Sequence, residues 1–79
     1  MPHYFFDIHD GEGVFTDEVG MDLPDMDTAI REARRALADM VRDALRDQDG
    51  AKVLICIRDG ADGPVMLSVS LTTDRPNGG

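Results

Sequence analysis

One stretch limits the fold of this chain more than any other. Met26, Ile30, Ala33, Leu37, Met40, Val41, Ala44 and Leu45 recur at steps of three and four, which is the signature of a helix with one apolar face. Asp25 stands where an N-cap carboxylate can accept from the free amides of the first turn. Pro24 precedes that cap, Asp27 puts negative charge near the positive end of the helix dipole, and Gly50 suits the left-handed position after the last turn. The spacing predicts a helix from Met26 to Asp47, about 33 Å long at 1.5 Å per residue. In a chain of 79 residues, one such helix must be covered by nearly everything else.

The flanking segments have the period of strands. Tyr4, Phe6 and Ile8 alternate with His3, Asp7 and His9, followed by the turn Asp10-Gly11-Glu12-Gly13 and a short return over Val14–Asp17. Such a pattern reads as a hairpin with one buried face. Glu18 to Pro24 reads as a connection. After the helix, Lys52–Arg58 is β-branched at Val53, Ile55 and Ile57. Asp59-Gly60-Ala61-Asp62-Gly63-Pro64 reads as a turn, and Val65, Leu67, Val69 and Leu71 alternate with Met66, Ser68, Ser70 and Thr72.

Two hairpins around one helix predict an α+β two-layer sandwich in ββαββ order, with a four-stranded antiparallel sheet and the helix across one face. The first and third strands are the most apolar and are expected at the centre. The expected inner layer is Tyr4, Phe6, Ile8, Phe15, Val53, Ile55, Ile57, Val65, Leu67, Val69 and Leu71. Residues 1–74 form one domain in this reading, and 75–79 form a flexible tail.

Strands of six or seven residues span about 20–23 Å, so the helix is expected to overhang the sheet. The second sheet face has no layer over it and would show Phe5, Leu54, Cys56 and Met66 among His3, Asp7, Arg58, Ser68 and Ser70. Small domains with thin cores often gain stability by association. A homodimer is therefore expected, through the open face, an edge strand or the overhanging helix end. Phe5, Leu54, Cys56 and Met66 are the candidate interaction surface.

Sixteen acids against eight bases give a net charge of −8. That field repels phosphate, so nucleic acid and acidic membranes are not expected partners, whereas a basic protein is permitted. On the helix, Arg31, Arg35, Arg42 and Arg46 fall in one stripe beside Glu32, Asp39 and Asp43. Pairs such as Arg35–Asp39, Asp39–Arg42 and Asp43–Arg46 make this a self-neutralising solvated face. Its sharper reading is a docking stripe for an acidic partner. The excess acid is expected in the turns and caps, at Asp7, Asp10, Glu12, Asp17, Glu18, Asp22, Asp25, Asp59 and Asp62, so a basic partner is expected at the loops of the sheet ends rather than along the helix.

No catalytic set stands out. Ser68, Ser70, Thr72 and Thr73 lie on a regular strand without a base, and Cys56 lacks the helix N-terminus or basic neighbour that would activate it. His3 and His9 are about 20 Å apart along one strand, too far to chelate one metal. Asp47-Gln48-Asp49-Gly50 begins like a calcium loop, but Arg58 falls where the bidentate glutamate is required. No enzyme activity, cofactor or metal is expected. The start of the chain lacks the pattern of a secretion signal, no apolar run could span a membrane, and the one cysteine cannot pair within the chain. The expected location is cytoplasmic.

Tyr4-Phe5-Phe6-Asp7-Ile8, the Asp10-Gly11 turn, Asp17-Glu18-Val19-Gly20, Leu23-Pro24-Asp25 and the helix start at Ala29, Glu32 and Ala33 resemble a family of short bacterial proteins of unknown function, found mostly in rhizobia-like alphaproteobacteria. That resemblance covers nearly the whole chain and carries no activity or ligand. Leu23-Pro24-Asp25-Met26-Asp27-Thr28-Ala29 and Glu32-Ala33 are similar to the helix entry of HicB-like antitoxins, which implies a basic toxin as partner. The ββαββ order with a terminal Gly78-Gly79 is similar to the β-grasp sulfur carriers, which implies a sulfur or acyl carrier using Gly79. The residues themselves favour a non-catalytic protein–protein interaction or regulatory module acting as a homodimer.

Overall fold

The computed structural model describes residues 1–11, 13–47, 50, 52–59 and 63–76. Strand β1 runs His3–Asp10, β2 Gly13–Phe15 and β3 Met21–Asp22; helix α1 spans Met26–Asp47; β4 is Lys52–Arg58 and β5 Val65–Ser70. The sheet is antiparallel throughout, in the order β2-β1-β4-β5, with β3 as a fifth strand also pairing β1. The apolar strands β1 and β4 are central, as their composition requires. The fifth strand corrects the four-stranded expectation: the segment read as a plain connection returns to pair His3 with Asp22 and Tyr4 with Met21.

The helix starts where its cap predicts. Asp25 Oδ1 accepts from Thr28 N at 2.8 Å and from Thr28 Oγ at 2.7 Å, which satisfies an amide the first turn leaves free. Gly50 takes φ +78° after the last turn, and its N–H donates to Leu71 O at 2.8 Å. The helix lies over β4 and β5. Its alanines Ala29 and Ala33 are fully buried and, with Leu37, meet Tyr4, Val53, Ile55 and Ile57 in the core. Small side chains at the crossing let helix and sheet approach closely. Phe6, Ile8, Val65 and Leu67 pack around that centre.

Three members of the expected inner layer are not covered. Phe15 is 70% exposed, Leu71 41% and Val69 38%. Strand alternation assigns each to the helix side, since Phe15 pairs with Ile8 and Val69 with Val53. One helix about 10 Å wide placed over β4 and β5 does not reach Phe15 on β2, and it leaves the β5 margin half open. The side chains of Ala44 and Leu45, on which the expected overhang rests, lie outside those described.

Candidate functional site

The uncovered sheet face holds a polar clasp built around Asp7. The residue is buried, at 9% exposure, although an aspartate in mid-strand on an open face reads as solvent-exposed. The correction has a clear cause. Arg58, on the adjacent strand, donates from Nε to Asp7 Oδ2 at 2.6 Å and from Nη2 to Oδ1 at 3.1 Å. This two-point pairing satisfies both oxygens with the geometry a guanidinium prefers. The Arg58 hydrogen bond, followed by the Asp17 amide, holds the Asp7 carboxyl below its ordinary value despite the opposing effect of burial.

Asp17 is the second centre. Its backbone N–H donates to Asp7 Oδ1 at 2.9 Å, and its carbonyl accepts from Arg58 Nη2 at 3.0 Å. Its carboxylate takes the Phe6 amide at 3.0 Å, the Val19 amide at 3.0 Å and the Gly20 amide at 3.1 Å. Those bonds, the Phe6 amide first, depress its carboxyl pKa. Phe6 lies on β1 between the residues that pair with β2 and those that pair with β3. Asp17 therefore fills the gap in that sheet edge with a side chain in place of backbone.

Gly20 makes the return possible. It takes φ +73°, and a Cβ there would meet the Tyr4 carbonyl at 2.9 Å and collide with the His3 ring. His3 closes this end: Nδ1 meets Asp22 Oδ1 at 2.6 Å and Nε2 meets Val19 O at 2.8 Å. With acceptors at both ring nitrogens the doubly protonated form is favoured, so its pKa lies above the ordinary 6.5, chiefly through Asp22.

The candidate interaction residues divide across this face. Phe5 sits between the His3 ring, edge-on at 4.9 Å between centroids, and Arg58, whose Cζ lies 4.8 Å from the Phe5 ring centre. Phe5 therefore belongs to the clasp. Cys56 and Met66 are cross-strand partners, with Leu54 two residues from Cys56 on the same face. Leu54 and Cys56 are half-buried and Met66 is 64% exposed. The arginines of the helix stripe, Arg31, Arg35, Arg42 and Arg46, are exposed. Arg35 pairs with Glu32 at 3.6 Å and Arg42 with Asp39 at 3.4 Å, so Glu32 takes the place beside Arg35 that was expected for Asp39. Gly78-Gly79 lies outside the described residues.

On the helix side, α1 and β5 bound a groove of about 420 Å³ lined by Leu37, Val41, Leu67 and Val69 together with Arg34. It lies along the half-open margin of the sheet. The expected inner layer contained its strand wall, but alternation alone gave no sign that the helix would leave that wall open. Among the described residues, no three His, Cys, Asp or Glu side chains converge as a metal-binding set. Among them, too, no helix is long and apolar enough to cross a membrane.

A family model described as a domain of unknown function (DUF6894) matches residues 3–72. No curated protein matches the chain, and no solved structure does.

Proposed function

The chain belongs to the DUF6894 family, and on that footing we propose that it is a non-catalytic protein–protein interaction or regulatory module that works as a homodimer in the cytoplasm. The observation that carries this reading is the groove between α1 and β5, an apolar surface open along the margin of the sheet. The charged groups of the other face point the same way. Asp7, Asp17 and Arg58 are engaged with one another and with backbone, so their chemistry goes into holding the chain together. A reducing compartment suits the free thiol of Cys56. The net charge of −8 favours protein over nucleic acid or acidic lipid as partner.

Light scattering on a dilution series tests the homodimer. A mass of twice 8.7 kDa that falls to 8.7 kDa on dilution supports it. A mass of 8.7 kDa at every concentration overturns it.

A further inference from the structure

We infer that the second copy joins through the outer edge of β5, antiparallel, so that two sheets become one and the two α1 helices lie side by side across the seam. This rests on the homodimer reading above and adds its location.

The backbone register identifies the free groups. The Phe6 amide goes to Asp17 and the Pro2 carbonyl accepts from Leu23 N, so even-numbered residues of β1 bond away from β4. Odd-numbered residues then bond to β4, and Phe5 pairs with Arg58 while Asp7 pairs with Cys56. In an antiparallel sheet successive residues bond to opposite sides. Val53, Ile55 and Ile57 therefore bond to β5, where their partners are Val69, Leu67 and Val65. This leaves the N–H and C=O groups of Met66, Ser68 and Ser70 directed outward from the edge. Such a row is satisfied in full by another strand.

Charge selects a second copy of this chain as that strand. Residues 63–73 contain no charged side chain, and they are bounded by Asp62 and Asp74. Two chains of −8 each repel over most of their surfaces, and this run is the longest one without charge. Sheet edges are commonly guarded by lysine, proline or short strands. The opposite edge has such guards, with strands of three and two residues and the Asp17 carboxylate between them. Within β5 there is neither charge nor proline, and the outward residues Ser68 and Ser70 are small and exposed.

Symmetry then closes the groove. A two-fold axis perpendicular to the sheet makes the edge its own partner and keeps both helices on one side. Leu67 and Val69 of each copy face the same pair in the other, and the open groove beside Leu37 and Val41 is covered by the partner's helix.

The test compares wild type, Ser68→Pro and Ser68→Lys by light scattering and circular dichroism. Proline removes an N–H that the register directs outward and that no described residue of the monomer accepts, so S68P is expected to keep the wild-type spectrum and run as a monomer. Lysine keeps the N–H but sets two like charges near the axis, and S68K is expected to weaken the dimer at least tenfold. If S68P fails to fold, S68K decides. A wild-type dimer that both folded variants preserve overturns the β5 edge and leaves the homodimer standing. A monomeric wild type overturns both.

Discussion

Asp7 and Asp17, ten residues apart, meet through a backbone amide: Asp17 N donates to Asp7 Oδ1 at 2.9 Å. Their carboxylates are turned to different partners, one to Arg58 and one to the amides of Phe6, Val19 and Gly20. Two acids thus sit close together on an acidic protein without sharing a proton. The loop from Phe15 to Met21 is fixed to the sheet by this pair.

Asp7→Asn keeps the shape and removes the charge that Arg58 requires. Losing charged hydrogen bonds at a buried site costs about 1.5–3 kcal/mol. The urea midpoint should fall accordingly, and Arg58→Gln should cost a similar amount. In the double variant the losses should be less than additive, because each substitution breaks the same bonds. Fully additive losses would show that the pair is not coupled.

Gly20 and Gly50 both have positive φ, yet alanine should act differently at the two. At Gly50 a Cβ meets nothing within 4 Å, so Gly50→Ala should cost only the left-handed backbone term of about 1–2 kcal/mol. At Gly20 the same term is joined by the contact with Tyr4 O at 2.9 Å, which backbone cannot yield cheaply. Thermal melting should place G20A clearly below G50A. Equal melting points would contradict the close approach.

These two clusters also mark how far the fold was legible. The bounds of α1 and β4 and the central place of β1 follow from local patterns: steps of three and four, β-branched alternation, a cap at Asp25. Exposure at Phe15, Val69 and Leu71 depends on how wide a strip the helix covers, which alternation does not encode. The burial of Asp7 depends on Arg58, 51 residues away, and charge in a strand otherwise signals solvent. Strand β3 has two residues, too few to show a period. One signal was available: an aspartate three residues before a glycine, as in Asp17-Glu18-Val19-Gly20, suits a turn closed by its own side chain.

Stability should fall on both sides of neutrality for separate reasons. Asp7 and Asp17 have folded pKa values below the ordinary 3.8. Their contribution is present above that value and is lost as pH falls through the depressed ones. His3 has the opposite sign: raised above 6.5, its contribution is complete below 6.5 and is lost as pH rises through the folded value. His3→Gln should flatten the alkaline slope of a urea-midpoint profile, and on the acid side it should remove only the part that Asp22 owes to its bond with His3, leaving the larger share carried by Asp7 and Asp17. Identical alkaline slopes would exclude His3 as the cause.

Asp25→Ala should cost about 1 kcal/mol, the usual value of an N-cap. It frees both the amide and the hydroxyl of Thr28. Asp25→Ser should recover most of the loss, and a denaturation series on the three proteins measures this. No difference between alanine and serine would mean that the cap does not hold the helix start.

The side chain of Asp17 occupies the Phe6 amide where the outer side of β1, away from β4, has no strand beside it. For the dimer proposed through β5, that carboxylate bears on how many copies would assemble. A sheet able to accept strands at both edges can add chains without end, as fibres do. Here the Phe6 position is taken by the chain's own loop and the strands on either side of it have three and two residues, so the long strand edge among the described residues is that of β5. A molecule with a single joinable end reaches a finite size at two.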